Sequence, residues 1–141
     1  RCVISSEGTQ RILEEVPDYP VKVNNLSSLP SLHRESAFKR IRADLSHQVF
    51  ELDQWPLWHF ELTELSSAHT ILHVGIDLLI VDGASLNMIM SDLAKFLFEP
   101  STSAEPSEYS FRDYTLDMRE FEKSEEFLRQ ERYWLSKLDR I

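Results

Sequence analysis

A short segment near the middle of the chain carries two carboxylates and a hydroxyl at a defined spacing. It reads Asp77-Leu-Leu-Ile-Val-Asp82-Gly-Ala-Ser85, a D-x4-D-x-x-S pattern. The segment lies where an apolar strand is predicted to end and a helix to begin, and rigid elements at such a junction can aim side chains into a cleft. Asp77, Asp82 and Ser85 are therefore candidate catalytic residues, because positioned carboxylates and hydroxyls can take part in proton transfer.

The predicted strand before Asp77 is the second of two alternating segments, at residues 57–65 and 70–77. In the second segment, Asp77 shares a face with His73 and with Gly75, which leaves space beside it. Leu78 to Val81 is a continuous apolar run that predicts burial on both faces. The first segment is expected to place Trp58, Phe60 and Leu62 on one face and His59, Glu61 and Thr63 on the other.

The remaining elements alternate between strand and helix along the chain. They are a hairpin around Glu7-Gly8, a short strand at 21–23, an amphipathic helix at about 33–48, a helix capped by Ser85, a Ser/Pro/Glu loop at 100–106 and a long charged helical stretch at 111–138. This order predicts an α+β fold, an α/β sandwich with a mixed sheet and packed helices.

Bulk properties exclude several classes of protein. The net charge of −9 over 141 residues argues against a nucleic-acid partner, which needs clustered Lys and Arg. We expect no membrane partner, since no apolar stretch reaches spanning length. Cys2 is the single cysteine, so no internal disulfide forms, which fits a cytoplasmic location. The histidines and the cysteine show no metal-ligand spacing, and no metal site is expected.

The D-x4-D-x-x-S segment resembles the core motif of heterocyclisation domains of nonribosomal peptide synthetases, a branch of the condensation-domain superfamily. Amide-forming members carry H-H-x-x-x-D-G in the same place. Here Asp82-Gly83 keeps the D-G, while Asp77 and Leu78 stand where the two histidines would be. Four further segments resemble the same branch, in order along the chain: Glu7 to Leu13, Leu52 to Leu57, Ser110 to Tyr114 and Tyr133 to Leu138.

The resemblance implies a fold of two chloramphenicol-acetyltransferase-like lobes with the active site in a tunnel between them. The chain would be a partial N-terminal lobe cut from a larger protein. Residues of about 1–99 would form the core of the lobe, 100–109 a loop, and 110–141 a long helix and the start of the linker to a missing C-terminal lobe. Because the tunnel needs both lobes, the isolated chain is expected to show no turnover, and ring formation by this fragment alone would refute that.

The implied reaction joins two substrates that carrier proteins deliver on phosphopantetheine arms, with no cofactor bound directly. An amine attacks an acyl thioester, and the side chain of Cys, Ser or Thr then closes a thiazoline or oxazoline with loss of water. The partners would be upstream and downstream peptidyl carrier domains, an adjacent adenylation domain and the C-terminal lobe. Two alternatives remain: a non-catalytic module that docks carriers or partners, and an amide-forming domain that never closes the ring.

The resemblance also implies roles for single residues. Asp77 would act in the tunnel, although a strand-end carboxylate that caps a turn is the structural alternative. Asp82 would hold the shape of the site by pairing with Arg1, and Gly83 completes the D-G pair. Ser85 belongs to the motif, but a role as a helix N-cap would equally explain it.

Other conspicuous residues have mainly structural interpretations. Leu78 can neither transfer a proton nor stabilise an oxyanion, so histidine-assisted condensation is excluded. His73 could lie near Asp77, yet a lone strand histidine is more often packed or solvated. The acidic run 120–131 predicts a solvated helix face, with carrier docking as the alternative. The three tryptophans, expected to be core aromatics, are Trp55, Trp58 and Trp134.

Overall fold

The computed structural model describes residues 1–104 and 107–138. The chain divides into two compact units, Arg1–Ala94 and Lys95–Ile141, and helix α2 begins in the first unit and ends in the second. The elements in chain order are β1 (Cys2–Ile4), β2 (Gln10–Ile12), β3 (Lys22–Asn25), α1 (Ser31–Ser46), β4 (Trp58–Ser66), β5 (His69–Ile76), α2 (Gly83–Phe98), α3 (Phe111–Phe121) and α4 (Glu125–Leu138).

A three-stranded mixed sheet lies at the centre of the first unit. Its strand order is β3-β4-β5, with β3 parallel and β5 antiparallel to β4. The antiparallel pair is joined by a tight turn, whereas the parallel pair requires a crossover, which the segment containing α1 provides. Helix α1 packs against β5. The α+β class with a mixed sheet is therefore confirmed.

The predicted N-terminal hairpin is also confirmed. Strands β1 and β2 pair antiparallel, with Cys2 opposite Ile12. Gly8 has a φ of +77°, a left-handed conformation that glycine adopts without a steric penalty. The hairpin is attached to the rest of the unit by the amide of Ile4, which donates to the carbonyl of Leu52 at 2.6 Å. Ile4 is itself buried.

The polar face of β4 is its more deeply buried face. Glu61 and Thr63 are 2% and 0% exposed, although Trp58 on the opposite face is only half-buried. Helix α1 lies on the polar side, where the Phe38 ring is 5.9 Å from the ring of His73. Alternation predicted which residues share a face, but the position of α1 determines which face is covered.

The prediction that Leu78 to Val81 is buried on both faces is wrong. Strand β5 ends at Ile76, and Leu78 and Leu79 are 78% and 57% exposed. A turn replaces the strand, because the carbonyl of Asp77 accepts the Ile80 amide at 3.1 Å. The apolar run is therefore a surface connection that leads from β5 to α2.

The second unit contains two helices where one long helix at 111–138 was predicted. The chain leaves the helical path after Phe121, and α4 starts at Glu125. The Ser124 hydroxyl accepts the Phe127 amide at 3.2 Å, as an N-cap does. Trp134 is 67% exposed, so the expectation that it is a core aromatic is also wrong.

Two parts of the predicted layout lie outside the described residues. They are positions 105–106 of the predicted loop at 100–109 and residues 139–141, where the linker was expected to start. None of the helices in the described ranges combines the length and the hydrophobicity that crossing a bilayer requires.

Candidate active site

Asp77 is the first residue after β5, and its backbone and side chain both close the turn that follows. Its amide donates to the carbonyl of Leu57 at 3.0 Å, which fixes the backbone against the start of β4. Its Oδ1 accepts the Leu79 amide at 2.9 Å. Within residues 1–104 and 107–138, Oδ2 has no hydrogen-bond partner. The half-buried side chain therefore has a fixed orientation and one carboxylate oxygen available as an acceptor.

Asp82, and not Ser85, is the N-cap of α2. Its Oδ1 accepts the Ser85 amide at 2.7 Å, and its carbonyl accepts the Leu86 amide at 2.9 Å. Ser85 is the third residue of the helix, so the prediction that it is the cap is wrong. The backbone hydrogen bond from Ser85 holds the pKa of Asp82 below its ordinary value. Asp82 thus stabilises the helix end as a carboxylate.

The expected pairing of Arg1 with Asp82 is not formed. Arg1 Nη1 donates instead to the carbonyl of Glu14 at 2.8 Å, and no ion pair joins Arg1 to Asp82 in the described part of the chain. Gly83 begins α2, and a Cβ added there would meet no atom within 4 Å. The structure thus shows no steric need for glycine at this position.

A buried carboxylate at Glu61 lies under α1 and was not identified from the sequence as a site. Glu61 Oε1 accepts hydrogen bonds from Lys22 Nζ at 3.1 Å and from the Asn24 side-chain amide. Glu61 Oε2 lies 3.1 Å from His59 Nε2, and His59 Nδ1 lies 3.2 Å from the hydroxyl of Tyr19. With a proton on Nε2, His59 donates to Glu61, and its Nδ1 shares the single hydroxyl proton of Tyr19 with the Phe60 carbonyl, which lies 3.2 Å from that hydroxyl.

These contacts control the charge of Glu61. Burial alone would raise its pKa, but the hydrogen bonds from Asn24, Lys22 and His59 outweigh burial and hold the pKa below its ordinary value. Glu61 is therefore a buried, ionised and fully partnered carboxylate. Local periodicity in the sequence does not reveal it, because only the parallel register of β3 and β4 places Lys22 directly beside Glu61.

His73 contacts the polar face of β4 and α1. Its Nε2 lies 3.0 Å from the hydroxyl of Thr63, and its ring packs against Phe38. Burial lowers the pKa of His73, and the positive charge of Arg42 lowers it further, while Glu61 acts in the opposite direction. His73 thus has Thr63 as its hydrogen-bond partner, and no hydrogen bond joins it to Asp77 within the described residues.

Acid is expected to destabilise the fold through His73 and Glu61. Their pKa values in the folded state are below the ordinary 6.5 and 4.5, so the folded state binds fewer protons there than the unfolded state. Each group's stabilisation of the fold is complete at a pH above its ordinary pKa, and it is lost as the pH falls below that pKa. Urea denaturation from about pH 8 to about pH 4 should show falling stability below about 6.5 and again below about 4.5. A flat profile over that range would contradict this assignment.

Asp82 offers a test that separates helix capping from proton transfer. Asparagine caps helices about as well as aspartate, whereas alanine does not. Asp82→Asn should therefore retain the catalytic rate of the parent domain, and Asp82→Ala should lower it by weakening the start of α2. The rates are measured with circular dichroism as the control for folding. Equal loss in both variants would instead assign the carboxylate a direct part in the chemistry.

No group of three or more His, Cys, Asp or Glu side chains is placed to hold a metal ion in the described ranges. Asp77 carries the carboxylate oxygen that remains available within the described residues, and Asp82 caps the helix beside it. The peptide segment between them forms the connection from β5 to α2.

Comparison with known proteins agrees with this arrangement. The profile of the family described as Condensation domain matches residues 1–141. The chain belongs to the condensation-domain family. It is 32% identical over its whole length to pyochelin synthetase PchF of Pseudomonas aeruginosa and spans 8% of that protein. It is 25% identical over 99% of its length to bacitracin synthase 1 of Bacillus licheniformis and spans 3% of it.

Among solved structures, the chain is similar to the EpoB cyclization-docking bidomain of a nonribosomal peptide synthetase from Sorangium cellulosum. The TM-score is 0.90 at 30% identity, and the match covers all of this chain and 28% of that one. The condensation-domain fold expected from the resemblance is thus confirmed.

Proposed function

We propose that this chain is part of a heterocyclisation domain, which condenses a carrier-bound acyl thioester with carrier-bound Cys, Ser or Thr and then closes a thiazoline or oxazoline. The observation that carries the proposal is Asp77, a half-buried carboxylate at the position where amide-forming relatives have a histidine, with one oxygen that has no partner within the described residues. The similarity to the EpoB cyclization-docking bidomain supports the same branch of the family.

The proposed chemistry has two additions. The amine nitrogen bonds to the acyl carbon, and the carbon–sulfur bond of the thioester breaks, releasing the thiol of the donor arm. The side-chain thiol or hydroxyl then adds to the new amide carbonyl, and the carbon–oxygen bond breaks as water leaves and a carbon–nitrogen double bond forms. Each addition requires a proton acceptor, and in this proposal Asp77 Oδ2 supplies it for the ring-closing addition. Leu78 at the neighbouring motif position has no group for proton transfer.

Asp82 has a supporting role in the proposal. By capping α2 it fixes the point at which the helix starts, and so it fixes the connection that follows Asp77. Ser85 contributes its backbone amide to this cap, and its hydroxyl is a second polar group of the motif. Gly83 enters the proposal only as part of the D-G pair, and Arg1 donates to the Glu14 carbonyl and makes no ion pair with Asp82 within the described residues.

We further propose that the chain supplies most of an N-terminal lobe, with residues of about 1–99 as its core. Activity would then require a C-terminal lobe, upstream and downstream carrier domains and an adenylation domain, in the cytoplasm. The chain spans 8% of pyochelin synthetase PchF and 28% of the EpoB bidomain, so both relatives extend well beyond the part that it matches. The isolated chain is accordingly expected to be inactive.

The decisive assay uses the complete parent domain with both carriers loaded, the acceptor with cysteine. Intact-protein mass spectrometry reads the product on its carrier. A condensed product that is lighter by one water supports heterocyclisation. A condensed product at full mass would show an amide-forming domain, and the absence of any transfer would favour the docking module.

A further inference from the structure

A cleft of about 190 Å³ lies between the C-terminal end of α1 and strands β4 and β5. Arg42, Ser46 and Gln48 line it from the helix side, and His59, His73 and Gly75 line it from the sheet. Its volume corresponds to roughly six water-sized groups. The cleft is distinct from the connection that carries Asp77 and Asp82, and the proposed function gives it no role.

Two hydrogen-bonding side chains that line this cleft are unpaired within the described residues. Arg42 makes no ion pair and no hydrogen bond there, and its guanidinium lies 5.9 Å from the Phe38 ring centroid. The Gln48 amide group likewise has no partner. His59 differs, because both of its ring nitrogens are already held by Tyr19 and Glu61.

The hydrogen bond of His73 determines what its other nitrogen presents to the cleft. Thr63 is fully buried, and its hydroxyl has the His73 Nε2 as its hydrogen-bond partner at 3.0 Å. If the Thr63 hydroxyl donates to Nε2, the neutral imidazole carries its proton on Nδ1. His73 then offers an N–H donor in the same cleft as the Arg42 guanidinium, without needing a charge of its own.

The Glu61 carboxylate, which contacts the cleft-lining His59, does not oppose an anion strongly. Glu61 is 2% exposed, and its two oxygens are taken by Lys22, Asn24 and His59. Its charge is offset by the ammonium group of Lys22 at 3.1 Å. The cleft therefore presents N–H donors and one guanidinium, a combination that matches the oxygens of phosphate or carboxylate groups.

We propose that this cleft binds a small oxyanion, a phosphate ester or a carboxylate. Arg42 is its ion-pair partner, and the Gln48 amide and His73 Nδ1–H are its hydrogen-bond donors. Two sources share this chemistry: the phosphate of a carrier's phosphopantetheine arm and a free acid. The proposal concerns anion binding alone, and its test does not depend on ring formation by the parent domain.

The test is a titration of the full chain with sulfate, whose charge is constant around neutral pH. NMR of histidine-labelled protein should show saturable shifts of the His73 ring. Arg42→Ala should weaken sulfate binding about tenfold, since a charge-assisted contact is lost. Arg40→Ala is the matched control, because Arg40 is an exposed arginine on the same helix that does not line the cleft, and it should bind as the unmodified chain does.

Gln48→Ala provides a second variant at an exposed position and should weaken binding about threefold. Absence of saturable binding, or equal affinity in the Arg42→Ala and Arg40→Ala variants, would overturn the proposal. Parallel titrations with pantetheine 4′-phosphate and with pantetheine identify the source. Tighter binding of the phosphorylated compound than of sulfate assigns the site to a carrier arm, and equal affinity assigns it to free anions.

Discussion

Replacing Asp77 with asparagine in the complete parent domain is expected to abolish ring closure. The amide oxygen of asparagine can still accept the Leu79 amide, which Asp77 Oδ1 accepts at 2.9 Å, so the turn after β5 is preserved. What is lost is the basic carboxylate, and a positioned general base contributes about 10²- to 10⁴-fold to a rate. Single-turnover mass spectrometry of the carrier-bound product measures condensation and loss of water separately.

The matched control for Asp77→Asn is Asp92→Asn, the same chemical change at an exposed position on α2. Asp92→Asn should leave both steps unaffected. Ring closure by Asp77→Asn at the rate of the unmodified domain would remove Asp77 from the chemistry and leave it as a turn-capping residue. Loss of condensation together with ring closure would place Asp77 in the first addition as well.

Replacing Glu61 with alanine is expected to destabilise the fold by about 2 to 3 kcal/mol. Glu61 accepts hydrogen bonds from β3 and contacts His59 on its own strand, so its removal leaves the Asn24 amide and the His59 ring without their partner. Urea denaturation followed by tryptophan fluorescence reports this change, because Trp58 lies on β4 itself.

Two variants separate the contributions to the effect of Glu61→Ala. Lys22→Ala should cost less than about 1 kcal/mol, since the Lys22 side chain is 65% exposed and water replaces its ion pair. Glu61→Gln keeps an oxygen for Asn24 and should lie between the other two variants. A Glu61→Ala protein as stable as Lys22→Ala would show that the buried network does not hold β3 against β4.

Local patterns in the sequence were sufficient for several elements. The hairpin around Gly8, the alternation of β4 and β5, and the D-x4-D-x-x-S segment between a strand and a helix are all present in the structure. These features depend on residues that are close together in the sequence. The types and spacing of the side chains therefore predict them directly.

Local patterns failed where two competing interpretations used the same residues. Asp82 and Ser85 are both good N-cap residues, and only the position of the first helical turn shows that Asp82 is the cap. The apolar run after Asp77 fits a buried strand equally well, yet the turn closed by Asp77 leaves Leu78 exposed. Likewise, the helical pattern of polar and apolar residues continues through Ser124. It therefore does not show that one helix ends before Ser124 and that Ser124 caps the next.

The sequence by itself determined the family-like motif, the order of the elements and which residues share a strand face. Only the tertiary structure decided that the polar face of β4 is buried and that Glu61 is held by Lys22 and Asn24, residues more than 35 positions away along the chain. The same holds for the cleft that Arg42 and His73 line. These features arise from the parallel pairing of β3 with β4 and the packing of α1 against β5, and such long-range contacts leave no mark on local periodicity.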